Sequence, residues 1–432
     1  MSCRDRLEQA LARIADPKGE GARACLTVYA AAARAAADAA DARAAAGISL
    51  GPLDGAIVTI KDLFDVAGEP TRAGSKILAD EAAPAQADAA IVRRLRAAGA
   101  VIVAKTNMTE FAFSGVGANP HFGTPGNPHD RTRVPGGSSA GAPVAVADGM
   151  CEIAIGTDTG GSVRIPASLC GLVGFKPSRQ RVPTDGAFPL SYTLDSVGPI
   201  ARSVADCAKA DAVMAGENFS FAPLDPAALA GLRFGIAEGL PLDRLDDTVA
   251  AGFALAVKRL DDAGARVSHE AFSLFDDMAA ANAKGGIAPA EACAIHRDRL
   301  KRRAVDFDPN VRVRIERGCA IAAADYVDMM RERDRLVRAM DARLAGLDVL
   351  VMPTTAIVAP TIAEVADEKV FAARNAALLR NTSIVNFFDL CAVTLPVKPA
   401  AKLPAGLMLA ARNGQDHGLF RIAATIAPLL PA

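Results

Sequence analysis

From Gly51 onward, short apolar runs rich in β-branched residues alternate with segments of helical periodicity. The predicted strands are Ala56–Ile60, Val101–Ala104, Ile153–Gly156 and Leu172–Phe175, and Asp88–Ala98 is a representative helix. This alternation is typical of an α/β sheet with helices on its faces. It is not the pattern of a helical bundle or a β-sandwich, so we predict the α/β class.

The start and the second half of the chain follow other patterns. Alanine fills 13 of the 17 positions in Ala30–Ala46, which favours helix but leaves little side chain to pack. Residues 218–345 are mostly helical in pattern, and strand patterns then return at Val349–Met352, Ala392–Pro396 and Gly406–Ala411. We therefore expect an N-terminal helical arm over 1–50, a core over 51–217, a mostly helical substrate-pocket region over 218–345, and a C-terminal segment over 346–432 that completes the core sheet.

Composition and charge narrow the classes of partner. Of 432 residues, 51% are hydrophobic and 22% are charged, and the net charge is −1. This composition supports a large core and lacks the basic field that nucleic-acid binding requires. The arginine-rich stretches at 297–303 and 312–317 contain acids and no aromatic residues, which favours solvated helix faces. We therefore expect no nucleic-acid partner.

No segment indicates a membrane, a metal or an organic cofactor. The longest apolar candidate for a membrane span, Val349–Ala363, is short and contains Pro353 and Pro360. Met1–Asp16 lacks the apolar centre of a secretory signal. The eight cysteines contain no C-x-x-C pair and fit a reducing compartment, and the five histidines form no metal-ligand motif. We therefore expect a cytoplasmic protein without a cofactor.

Two glycine–serine turns between Arg133 and Ser178 carry the candidate chemistry. The first reads R-V-P-G-G-S-S-A-G-A-P around Ser138, and the second reads G-T-D-T-G-G-S-V-R around Ser162. Glycines before each serine allow backbone amides to approach a bound oxygen, and a hydroxyl beside such donors is what acyl transfer requires. A single turn of this kind is more often only a helix cap, so the pair is the signal.

The whole stretch resembles the amidase signature family. Upstream, G-P-L-D-G-A-I-V-T-I-K-D-L-F-D-V-A-G is similar to the family's lysine segment and contains Lys61; downstream, L-D-S-V-G-P-I-A-R-S-V-A-D and L-P-A-G-L-M-L-A-A-R are similar to its later segments. The resemblance is dense over Gly51–Gly216 and weak over 218–344. It implies the amidase-signature fold, with a central mixed β-sheet covered by helices on both faces.

The resemblance also implies a Ser–Ser–Lys triad. Ser162 would be the nucleophile, Ser138 the bridging serine on a cis peptide bond, and Lys61 the base. The apolar strand before Lys61 could keep its amine neutral by desolvation. The implied oxyanion hole consists of the amides of Thr159, Gly160, Gly161 and Ser162.

Three nearby residues are expected to support the triad. Ser139 is interpreted as a hydrogen-bonding neighbour, and Asp158 with Arg164 as a buried pair that braces the loop. The chain departs from the family pattern G-G-S-S-G-G at Ala140, and Pro143 follows. Both fit the start of a helix if Ala140 has an ordinary backbone conformation.

The implied reaction is hydrolysis of a small-molecule carboxamide to a carboxylic acid and ammonia through a serine acyl-enzyme. The expected partner is thus a small amide, and a second copy of the chain is a further candidate. Phe219, Phe221, Phe272, Phe275 and Met278 are either acyl-pocket or core residues.

Alternative functions remain open at this point. G-S-S-A-G also fits a hydrolase nucleophile elbow, which would make Ser139 the nucleophile and His417 a conceivable base. Relatives of the family serve as the glutaminase component of a tRNA-dependent amidotransferase, and a degenerate copy would be only an assembly component.

Overall fold

The computed structural model describes residues 1–397 and 403–430. Within these ranges eleven strands form one sheet in the order β1-β3-β2-β4-β6-β5-β10-β11-β9-β7-β8. The strands are β1 Cys25–Val28, β2 Ile57–Lys61, β3 Val101–Thr106, β4 Ile153–Asp158, β5 Val173–Lys176, β6 Ser196–Ala201, β7 Arg233–Ala237, β8 Arg266–Glu270, β9 Val349–Pro353, β10 Cys391–Val397 and β11 Ala405–Ala411. β2 pairs in parallel with β3 and β4, whereas β10 pairs antiparallel with β5 and β11. The predicted mixed sheet is therefore confirmed.

Helices cover both faces of this sheet. They are α1 Cys3–Ala15, α2 Gly21–Ala24, α3 Ala30–Ala45, α4 Lys76–Glu81, α5 Ala90–Ala97, α6 Gly141–Ala147, α7 Arg164–Leu169, α8 Val204–Ala215, α9 Asp247–Asp262, α10 Leu274–Ala281, α11 Ile287–Arg303, α12 Pro309–Cys319, α13 Ala323–Arg343, α14 Glu368–Leu379, α15 Thr382–Phe387 and α16 Asp416–Ile426. Side chains of a strand alternate between faces. In β2, Ile57 joins the core under α1, α3 and α6, whereas Val58 and Ile60 join the core under α5 and α8.

Four strands were not recognised in the sequence. β1 lies inside the N-terminal arm and pairs with β3, and β7 and β8 extend the sheet in the region expected to be mostly helical. β6 contains Gly198 and Pro199, residues that weaken a strand pattern. Pairing with adjacent strands stabilises these four segments, although their own sequences show no clear strand pattern.

The alanine-rich helix α3 packs through its small side chains. Ala33, Ala37 and Ala40 are buried against α1, at spacings that place them on one helix face. The C-terminal strands β9, β10 and β11 join the same sheet as β2. Residues 398–402 and 431–432 of the predicted C-terminal segment lie outside the described ranges.

The cysteines contain a pair that their spacing did not indicate. Cys293 on α11 and Cys319 at the end of α12 form a disulfide, whereas the other six are free and buried. This pair departs from the free thiols typical of a reducing compartment. Packing of α11 against α12 brings the two residues together.

Among the helices of residues 1–397 and 403–430, none combines the length and the apolar character of a membrane span.

Candidate active site

Three chain segments bring the predicted triad residues to one buried place. Lys61 is the last residue of strand β2, Ser138 lies in the loop before α6, and Ser162 lies in the turn between β4 and α7. Their exposed fractions are 0%, 0% and 3%. The amide of Ser139 donates to the carbonyl oxygen of Ser162 at 3.3 Å, so the two glycine–serine turns lie side by side.

Lys61 forms hydrogen bonds with two hydroxyl groups. Its Nζ donates to Ser138 Oγ and to Thr157 Oγ1, each at 2.8 Å. The Gly137–Ser138 peptide bond is cis, as the resemblance implies. Thr157 was missed in the sequence. It lies near the end of β4, the strand that pairs with β2, and the same G-T-D-T-G-G-S motif contains it.

The surroundings of Lys61 disfavour its charged form. Burial lowers the pKa of the Lys61 ammonium from about 10.5 to about 7, while Asp195 and Asp158 oppose this shift through their charges. Neither carboxylate forms an ion pair with Lys61 in the described structure. At neutral pH a large fraction of Lys61 is therefore uncharged and able to accept a proton.

Asp158 and Arg164 form the buried pair that the sequence predicted. Arg164 donates to both carboxylate oxygens of Asp158, from Nη2 at 2.8 Å and from Nε at 3.0 Å. Asn386 of α15 completes the cluster, because its Nδ2 donates to Asp158 at 2.9 Å and its Oδ1 accepts from Arg164 at 2.6 Å. Burial alone would raise the pKa of Asp158, but Arg164 and Asn386 lower it to about 2. The Asp158 carboxyl group therefore stays ionised at neutral pH.

This anion holds the turn that carries Ser162. Asp158 accepts from the amides of Gly161 at 2.9 Å and Val163 at 3.2 Å. Gly161 has φ +134°, and a Cβ atom there would lie 2.1 Å from Thr382 Oγ1, so this position requires glycine. The Gly161 amide therefore already has an acceptor in Asp158. The amides of Thr159, Gly160 and Ser162 stay the other predicted donors to a substrate oxygen.

Asp195 is a second carboxylate, which the sequence pattern did not single out. It accepts from Thr159 Oγ1 at 2.5 Å and from the amides of Leu190 and Ser191 at 2.9 and 3.1 Å. Burial raises the pKa of Asp195 to about 6 despite these hydrogen bonds. The segment L-D-S-V-G-P-I contains it, but only the fold shows that it faces Thr159.

Ser139 and His417 do not form the alternative nucleophile elbow. Ser139 Oγ is buried and has no hydrogen-bond partner among the described residues, so the neighbour's hydrogen bond to Ser162 comes from the Ser139 amide. His417 is exposed on α16 and contacts Glu217 at 2.9 Å. Ala140 has φ −64° and ψ −42°, which is the ordinary backbone conformation expected where alanine replaces the family's glycine.

A cavity of about 340 Å³ opens beside Ser162. Thr159 and Gly160 line this cavity, and apolar side chains such as that of Met278 line it as well. Of the five candidate pocket residues, Met278 alone lines this cavity. Phe272 and Phe275 pack in the core, and Phe219 and Phe221 line a separate pocket next to His417. The volume of the cavity lies within the range of pockets that hold small molecules.

Comparisons with known proteins identify the family of the chain. The Amidase family model matches residues 5–420. The chain is 38% identical over 411 residues to the 2-amino-5-chloromuconic acid deaminase of Comamonas testosteroni, covering 92% of this chain and 86% of the relative. It is 35% identical to the A-type subunit of the glutamyl-tRNA(Gln) amidotransferase of Symbiobacterium thermophilum, covering 89% and 84% of the two chains.

A solved structure described as an amidase covers 100% of this chain and 97% of its own, with a TM-score of 0.88 and 32% identity. The chain therefore belongs to the amidase family, and it is an amide-hydrolysing enzyme.

The buried cluster predicts a large loss of stability when its cation is removed. Arg164→Met leaves the Asp158 anion buried without its partner, which should lower the free energy of unfolding by about 3–5 kcal/mol. Guanidinium denaturation followed by circular dichroism measures this change. Arg335→Met, which breaks an exposed pair with Glu332, is the matched control and should leave the midpoint unchanged. Equal midpoints for both variants would contradict the proposed bracing.

Proposed function

We propose that the protein hydrolyses the carboxamide of a small molecule to a carboxylic acid and ammonia, with Ser162 as the nucleophile. The observation that carries this proposal is the hydrogen bond from the desolvated amine of Lys61 to Ser138 at 2.8 Å. A buried amine with a pKa of about 7 is suited to accept a proton at neutral pH. The adjacent cavity provides room for the substrate.

In the first half of the reaction, Ser138 relays a proton from Ser162 Oγ to neutral Lys61. Ser162 Oγ then forms a bond to the carbonyl carbon, and the carbonyl electron pair moves onto oxygen. The amides of Thr159, Gly160 and Ser162 stabilise this oxyanion by donated hydrogen bonds. Because Asp158 fixes the turn before substrate binds, these donors require little reorganisation.

In the second half, the carbon–nitrogen bond breaks and the amine leaves with the proton that Lys61 returns through Ser138. Ser162 is then an acyl ester. A water molecule gives its proton to the same relay and attacks the ester carbonyl, and the acid departs as Ser162 regains its hydrogen. The relay returns to its starting protonation state, so the cycle is balanced.

A second candidate is the glutaminase component of an amidotransferase. The 35% identity to the amidotransferase chain of Symbiobacterium thermophilum favours it, while the 38% identity to a deaminase favours a free hydrolase. Glutamine hydrolysis measured with and without candidate partner chains distinguishes the two. Ammonia release from glutamine only in the presence of a partner would support the amidotransferase role.

Labelling identifies the nucleophile. An alkyl fluorophosphonate should react with one serine, because a proton acceptor and oxyanion donors activate only that hydroxyl. Peptide mapping by mass spectrometry is expected to place the adduct on Ser162, and Ser162→Ala should abolish labelling. An adduct on Ser139 would instead support the nucleophile elbow and overturn the assignment.

The state of Lys61 predicts the pH profile. Lys61 acts as a base only when neutral, so kcat/KM should be constant above a pH of about 7 and fall about tenfold per unit below it. Lys61→Met should lower kcat/KM by about 10⁴-fold, by analogy with other serine triads.

His417→Ala is the control for that profile and should leave both the plateau and the acid limb unchanged, because the relay contains no imidazole. Circular dichroism must first establish that each variant is folded. Near-normal turnover by folded Lys61→Met would rule out the proposed base.

A further inference from the structure

The wall of the cavity beside Ser162 contains a single charged side chain among the described residues. It belongs to Arg314 of α12, and the other lining residues are apolar or neutral polar. No Asp or Glu side chain lines the cavity in the described ranges. An uncharged substrate would leave this cation without a counterion.

Arg314 also lacks a polar partner among the described residues. Its guanidinium forms no hydrogen bond or ion pair to any described residue, and its Nε is shielded from solvent. The buried arginines Arg164 and Arg333 differ, since each pairs with a carboxylate. Burial and the charge of Arg317 lower the pKa of Arg314 to about 10, so it stays protonated at neutral pH.

Phe113 holds the guanidinium in place. Arg314 Cζ lies 4.5 Å from the centroid of the Phe113 ring, and Phe113 also lines the cavity. A ring contact of this kind uses the face of the guanidinium and leaves its in-plane N–H groups free to donate. Planar pairs of N–H donors bind carboxylates by two parallel hydrogen bonds. The cation is thus preorganised for a carboxylate.

We propose that the substrate is an amide with a carboxylate at the end opposite the scissile carbonyl, and that Arg314 is the residue that selects this carboxylate. This inference rests on the proposed function, because Ser162 defines the reacting end. The apolar side chains of Met278 and Ile287, which line the same cavity, contact the carbon chain between the two ends. The substrate class is therefore that of monoamides of dicarboxylic acids.

Kinetics on matched amides test this selection. The probes are malonamate, succinamate, glutaramate and adipamate, each compared with the neutral primary amide in which a methyl group replaces the carboxylate. Wild-type kcat/KM should favour the best acid over its neutral partner by about 10- to 100-fold, the range for hydrogen bonds to a charged group. The preferred chain length reports the distance between Ser162 and Arg314.

Variants assign the preference to Arg314. Arg314→Gln should lower kcat/KM about 10- to 100-fold for the acid and less than about threefold for the neutral amide. Arg314→Lys should restore part of the preference, because it keeps the charge but not the planar fork. Arg317→Gln removes an exposed charge from the same helix and should change neither substrate. Equal losses on both amides in folded Arg314→Gln, or no preference in the wild type, would overturn the inference.

Binding separates this inference from the proposed function. Calorimetry with Ser162→Ala measures acid binding without turnover, and Ser162→Ala with Arg314→Gln should bind the acid about 10- to 100-fold more weakly. Arg314-dependent binding without any hydrolysis by wild type would support the carboxylate site and reject the amidase proposal. Hydrolysis of neutral amides without Arg314-dependent acid binding would do the reverse.

Discussion

The candidate site depends on the burial of one amine. Lys61 ends a strand whose other residues pack in the cores on both faces of the sheet, so its Nζ is enclosed by protein and meets hydroxyl groups rather than carboxylates. Burial without a counterion disfavours an ammonium and leaves a base. A direct ion pair with Asp158 or Asp195 would reverse this effect. The fold instead directs those carboxylates to other partners.

Those other partners explain the architecture around the site. Asp158 pairs with Arg164 and fixes the amides of the turn before Ser162, while Asp195 holds Thr159. α15 contributes Asn386 to this cluster and Thr382 to the Gly160 carbonyl. The C-terminal part of the chain therefore supports the turn that carries Ser162, which belongs to the first half. Mixed pairing, in which β10 lies beside β5, makes this possible.

The sequence predicted those parts of the molecule that local pattern encodes. The strand that carries Lys61 and both glycine–serine turns were recognised because apolar runs and glycines mark them. Asn386, Asp195 and Thr157 were missed, because their roles arise from contacts between distant segments. β8 and the Cys293–Cys319 pair were missed for the same reason. The hydrogen bond from the Gly161 amide to Asp158 was also missed, since spacing does not show where an N–H group points.

A direct titration of Lys61 tests the central claim. Heteronuclear NMR of protein labelled with ¹³C and ¹⁵N at lysine follows each side chain, and the spectrum of Lys61→Met identifies the Lys61 signal. We expect this signal to titrate near pH 7, well below the ordinary value of about 10.5. If the Lys61 signal shows an ammonium up to pH values near that ordinary value, Lys61 cannot be the base, because an ammonium cannot accept the proton from Ser138.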